Sequence, residues 1–342
     1  MSSSSEPSET VIITGGTGYI GQHIIAELLH QGYKVIAIVR SQPRGMELIK
    51  QFHHPNLQIE AVDQLDKPNS IDFVLRQHQE ATTFIAGAAV TDFTAKEVEK
   101  EIIQKTNAIV ENTLESIKHH GKQIKRVILT SSSGTHIGPE KVFSYDAQYG
   151  DDDWSPLPYE AGFANAQMAY MVAKKTSEEL AWKFVKDHKT NFDLVSINPG
   201  MTLGPVQFAN EISLDNGGYL PTTTNIIANL LKLKKDDEVA PLAAGAVDVR
   251  DVAKAHVSVI KTPKASGQRI LVEAYKFTNA NAVNILKSHF PQLKDKLPDV
   301  EPISESKFVE PNLKRSKEIL AFDKYYTLTD SVVGLAKQLL KE

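Results

Sequence analysis

The sequence predicts an α/β fold, a doubly wound parallel sheet with a smaller C-terminal substrate-binding lobe, on three observations. Short apolar runs alternate with longer amphipathic stretches through the N-terminal half. The runs are nearly continuous in Val, Ile, Leu or Phe, as suits a sheet covered on both faces. The rhythm changes after Asn198-Pro199-Gly200. In order, residues 1–10 are polar and acidic and read as a disordered tail. Runs at 11–14, 34–39, 57–62, 83–86, 126–130 and 192–197 read as six buried strands. Between them, Ile20, Ile24, Ile25, Leu28 and Leu29 share one helical face, as do Ile102, Ile103, Ile109, Val110, Leu114 and Ile117. Strand–helix alternation repeated this often argues for a doubly wound sheet over 11–200. Residues 134–164, rich in Pro, Gly, Asp and Tyr, read as a loop bordering a site. Helical patterns at 225–233, 251–260, 280–289 and 329–340 belong to 201–342, mainly a substrate-binding lobe with some segments returning to the core.

Composition excludes several function classes. The 342 residues are 41% hydrophobic and 23% charged, with a net charge of -4 and no cysteine. That balance argues against a polyanionic partner, and the missing thiols exclude disulfides, thiolate zinc sites and a cysteine nucleophile. With no secretory h-region and no run of 18 apolar residues, no membrane association is expected, and the expected location is cytoplasmic. No P-loop pattern and no basic stripe interleaved with aromatics is present, so no nucleic-acid partner is expected. His53-His54, His119-His120 and Asp151-Asp152-Asp153 read as solvated surface, and no metal is expected.

Thr14-Gly15-Gly16-Thr17-Gly18-Tyr19-Ile20-Gly21 follows the first strand and opens the first helix. Glycines 15, 18 and 21 have the spacing of a Rossmann-type dinucleotide turn: side chains at the first two would obstruct the turn and the pyrophosphate, and the third allows close helix packing. The second strand ends in Arg40, with Arg44 four residues on, where an NAD site places Asp or Glu. Two guanidinium groups there suit the 2′-phosphate of NADP(H), which a carboxylate would repel.

Thr130-Ser131-Ser132 ends the fifth strand, and Tyr170 and Lys174 stand four apart on a helical pattern, so they share a face. A free phenol titrates near ~10. A neighbouring ammonium is expected to stabilise the phenolate and lower that value, making Tyr170 a proton donor and acceptor, with Ser132 hydrogen-bonded to a carbonyl oxygen.

Together these motifs resemble the extended short-chain dehydrogenase/reductases, within them the dihydroflavonol-reductase-like branch, and the fungal NADPH-dependent methylglyoxal and 3-methylbutanal reductases. The resemblance runs over nearly the whole chain and includes Arg40-Ser41-Gln42, Asn198-Pro199, the run from Val247 to His256, and Gly267-Gln268-Arg269. It implies reduction of aldehydes and ketones by hydride transfer from NADPH, on a monomer or homodimer, with Ser132, Tyr170 and Lys174 as the triad and Asn107 holding a relay water. It implies cofactor contacts from Gly15, Gly16, Thr17, Gly18, Tyr19, Ile20, Gly21, Arg40, Arg44, Asp63 or Gln64, Ala86, Gly87, Tyr170, Lys174, Pro199, Thr202 and Thr223. Phe93, Ser133 and Met201 would border the carbonyl substrate. The chain departs from the branch at Ala86-Gly87-Ala88-Ala89-Val90 and at Gly200-Met201, where relatives often carry an aromatic side chain. Two alternatives share the scaffold: a nucleotide-sugar epimerase or dehydratase, against which Arg40 and the Asp248–Val252 run argue, and a non-catalytic NADP-sensing regulator, against which Tyr170 and Lys174 argue.

Overall fold

The computed structural model describes residues 9–138, 144–212, 214 and 223–341. Most of the expected tail and part of the expected loop lie outside them. Ten strands are present among the described residues: β1 Thr10–Thr14, β2 Lys34–Val39, β3 Leu57–Ala61, β4 Ala81–Ala86, β5 Arg126–Thr130, β6 Asp193–Pro199, β7 Met201–Leu203, β8 Ala243–Asp248, β9 Arg269–Val272 and β10 Tyr275–Thr278. Seven form one sheet in the order β3-β2-β1-β4-β5-β6-β9, every pair parallel. The six expected strands all appear in it. The seventh, β9, comes from beyond residue 201, where four apolar-leaning residues are too few to separate strand from helix by periodicity. A smaller sheet, β10-β8-β7, joins one antiparallel and one parallel pair.

The central strands are buried on both faces, which is why their sequences do not alternate. Val11 and Ile13 of β1 pack on one side with Ile24 and Leu28 of α1 (Tyr19–His30). Ile12 packs on the other. There it meets a layer containing Val110 and Leu114, from the helix Lys105–His120, and Phe184, from the helix Ala166–Asp187. A third apolar cluster, including Leu203, Ile227, Phe277, Leu286 and Leu335, builds the second unit around the small sheet. Strand order reverses between β1 and β4, so the loops after these strands part and open a crevice at the carboxyl edge.

The run from Val247 to His256 has a structural explanation. Asp248 caps the helix Val249–Ser258, accepts two bonds from the Arg250 side chain and one from Ser331 Oγ at 2.6 Å. Asp251 accepts the Tyr326 N–H at 2.9 Å. These carboxylates tie the C-terminal segment to the central unit. Asp151 corrects the solvated reading of its triplet. It is buried and accepts the N–H groups of Arg315 and Ser316 in the first turn of the helix Lys314–Leu320, satisfying donors that the turn leaves open.

Candidate active site

A cleft of about 1870 Å³ runs along the carboxyl edge, larger than the ~300–1,000 Å³ of an ordinary ligand pocket. At one end lies the glycine turn. Gly15 has φ +76, and a Cβ there would stand 2.7 Å from the Gly87 carbonyl; a Cβ on Gly21 would stand 2.1 Å from Gly15 O. The α1 N-cap, Gly18, has no side-chain cap, so the helix's first N–H groups remain available to an anion at the cleft. Further along, exposed Arg40 and Arg44 line the cleft. Arg44 sits in the first turn of the helix Gln42–Phe52, whose N-cap Ser41 makes no side-chain cap bond. The helix N–H groups and the two guanidinium groups fit the pyrophosphate and 2′-phosphate of a dinucleotide, with Glu47, Asp63 and Asp66 also on this part of the lining.

Thr17, Gly18, Tyr19, Ile20, Asp63, Gly87, Pro199, Thr202 and Thr223 also line the cleft, as do the expected substrate neighbours Phe93, Ser133 and Met201. Four expected residues stand off it. Gly16 lies over Ile25, where a Cβ would come within 2.8 Å of the side chain, and so serves helix packing. Ala86 is buried at the end of β4. Gln64 is exposed outside the lining, and its neighbour Asp63 faces the cleft. Asn107 accepts a bond from Thr176 Oγ1 at 2.9 Å, helix to helix.

Ser132, Tyr170 and Lys174 all line the cleft. Ser132 follows β5 and accepts the Gly134 N–H at 3.1 Å. That bond fixes the hydroxyl oxygen and leaves its proton free to donate. Tyr170 and Lys174 lie one turn apart on Ala166–Asp187, whose N-cap Asn165 accepts the Met168 N–H at 2.9 Å. The helix is moored to β5 by Lys174 itself, whose Nζ donates to Thr130 O at 2.6 Å. Phe93 packs on Tyr170 with ring centroids 5.8 Å apart.

The electrostatics differ from expectation. Burial raises the Tyr170 phenol above its ordinary value. Burial lowers Lys174 to about 8, with the Glu178 carboxylate acting the other way. The phenol is therefore protonated at neutral pH, ready to give its proton away, and the ammonium carries its charge below about pH 8.

Beneath the site lies a polar network that sequence reasoning missed. Glu178, fully buried, accepts bonds from Ser131 Oγ at 2.5 Å, Ser196 Oγ at 2.9 Å, Asn198 Nδ2 at 2.7 Å and Arg269 Nε at 2.7 Å. Burial pushes its carboxyl up, but the Arg269 charge and these hydrogen bonds win and hold it at about 2. Arg269 also donates to Thr135 Oγ1 at 2.9 Å and stacks over Trp154 at 3.5 Å. A second relay supports Lys174. His256 Nδ1 lies 2.8 Å from the Val252 carbonyl, so it carries the proton, and Nε2 accepts from Thr130 Oγ1 at 2.9 Å. Glu178 had one signal: Tyr170, Lys174 and Glu178 stand at i, i+4 and i+8, placing a carboxylate on the inward helix face.

The NAD dependent epimerase/dehydratase family profile matches residues 11–273. The crystal structure of Candida albicans Gre2 in complex with NADPH is 34% identical, with a TM-score of 0.91 and coverage of 97% of this chain and 99% of that one. The NADPH-dependent methylglyoxal reductase GRE2 of Saccharomyces cerevisiae is 29% identical over 97% of this chain and 98% of its own length. A Medicago truncatula cinnamoyl-CoA reductase is 31% identical over 88% of this chain and 87% of its own. With its glycine turn, its parallel sheet and a family match spanning most of its length, this chain belongs to the NAD dependent epimerase/dehydratase family.

Proposed function

We propose that this protein is an NADPH-dependent carbonyl reductase that converts aldehydes and ketones to alcohols. When bound, NADPH supplies the two electrons and one hydrogen that a carbonyl carbon must accept; the glycine turn and α1 would hold its pyrophosphate, and Arg40 and Arg44 its 2′-phosphate. The chain's own residues deal with the oxygen. Ser132 donates a hydrogen bond from its hydroxyl to the carbonyl oxygen, keeping its proton, and polarises the carbonyl. Tyr170, kept protonated by burial, gives its proton to that oxygen as negative charge develops. The Lys174 ammonium offsets the charge left on the phenolate, and its bond to Thr130 O keeps the helix and strand in register.

The observation that carries this reading is that Ser132, Tyr170 and Lys174 line one cleft together with the glycine turn, Arg40 and Arg44. The similarity to NADPH-dependent methylglyoxal reductase supports methylglyoxal as a first substrate to test. Purified protein should oxidise NADPH in the presence of methylglyoxal or 3-methylbutanal and prefer NADPH to NADH. Retention of tightly bound NAD, no reaction with either aldehyde, and conversion of a nucleotide sugar would reject it. The proposal includes a cytoplasmic location and a monomeric or homodimeric state. Among the described residues, no helix is long and apolar enough to cross a membrane.

A further inference from the structure

Opposite the nucleotide end, the cleft lining includes a carboxyl group that the reduction chemistry does not use. Glu273 directly follows β9, is only 6% exposed, and lines the cleft with Tyr149. The Tyr149 hydroxyl lies 2.8 Å from both carboxyl oxygens and donates between them. Two glycines clear room for this group. A Cβ on Gly245 would stand 2.1 Å from Glu273 Oε2, and one on Gly200 would stand 2.8 Å from Glu273 Cγ.

We propose that Glu273, oriented by Tyr149, is a specificity-determining residue that selects carbonyl substrates bearing a second, hydrogen-bond-donating group, a hydroxyl or an ammonium. This rests on the carbonyl reductase reading. Topology sets the distance. Ser132 follows β5 and Glu273 follows β9, with β6 between them in the parallel sheet. Two strand spacings put their backbones about 10 Å apart. Subtracting a hydrogen bond of about 2.9 Å at each end leaves about 4 Å between carbonyl oxygen and donor atom, which a flexible chain of about three or four bonds from the carbonyl carbon spans. One Tyr149 proton shared by two oxygens leaves lone pairs for a ligand donor. Burial raises the carboxyl and Lys276 acts against it, so an ammonium on the substrate would favour the charged form.

The test compares kcat/KM for 5-hydroxy-2-pentanone, 5-(dimethylamino)-2-pentanone and 2-hexanone, in wild type, Glu273→Leu and Glu273→Gln. A pocket built to hydrogen-bond a substrate group discriminates strongly against the analogue lacking it, and a ratio of about tenfold or more over 2-hexanone is expected for at least one donor ketone. The ratio should fall toward one in Glu273→Leu. In Glu273→Gln it should survive for the hydroxyl and collapse for the ammonium, which identifies the donor. Equal kcat/KM for all three ketones in wild type, or the same ratio in wild type and both variants, overturns the assignment. If none of these ketones, methylglyoxal or 3-methylbutanal is reduced, the parent reading fails and takes this one with it.

Discussion

Replacing Arg269 with methionine removes the cation paired with Glu178 and leaves a buried carboxylate facing only neutral donors. The guanidinium stands 2.7 Å from Glu178 Oε1, is 8% exposed, and also donates to Thr135 and stacks over Trp154. Removing one partner of a buried pair costs about 3–5 kcal/mol. Ser131, Ser196 and Asn198 still donate to Glu178, which argues for no more than the middle of that range. A chain of 342 residues has an unfolding entropy of about 0.7 kcal/mol/K, so about 4 kcal/mol lowers Tm by about 6 °C. Urea and thermal unfolding followed by circular dichroism would measure it. Glu178→Leu alone should also destabilise, by orphaning the guanidinium. The double variant, with both charges gone, should be more stable than the sum of the single effects by about 2 kcal/mol or more. Single-variant losses below about 1 kcal/mol, or strict additivity, would refute the claim that this pair secures β9 beneath the site.

Three further outcomes follow from the same structure. Arg40→Ala should weaken NADPH binding by about 2 kcal/mol, near thirtyfold, and leave NADH binding within about threefold, as read by fluorescence titration. An unchanged NADPH:NADH ratio would remove the argument for a 2′-phosphate site. Burial first of all holds His23, His136 and His256 near 4, below the usual 6.5. In that window the unfolded chain binds more protons than the folded one, so stability should fall as pH drops from about 6.5 to about 4. Each histidine contributes about 3 kcal/mol to that loss, and a flat urea midpoint over the interval would contradict the neutral-histidine assignment. Lys174, lowered to about 8 chiefly by burial, should lose its charge as pH rises through that value. The kcat for carbonyl reduction should fall there, and a kcat independent of pH up to about 10 would show that the ammonium does not stabilise the phenolate.

The parts of the fold legible in the sequence are those encoded locally. Strands buried on both faces announce themselves as unbroken Val, Ile and Leu runs, and the glycine turn is needed because Gly15 and Gly21 pass within a Cβ's reach of backbone. Tyr170 and Lys174 were readable because helical periodicity brings i and i+4 together. What was not readable depends on residues distant in the chain. Arg269 meets Glu178 across 91 positions and Tyr149 meets Glu273 across 124, separations at which one sequence carries no pairing signal. Helical spacing alone points to a lowered Tyr170 pKa; burial, which depends on packing, raises it instead. Asp151 looked solvated because its neighbours are charged, yet the helix it caps begins 163 residues later.

The most direct test of the central claim, that the Tyr170 phenol delivers the proton to the carbonyl oxygen, measures Tyr170→Phe twice. One measurement is kcat with methylglyoxal and the other is the Kd for NADPH. The account predicts a loss of about 10²–10⁴ in kcat, the usual worth of a general acid, with Kd within about threefold of wild type. A variant that retains kcat within about tenfold while binding NADPH normally would contradict it.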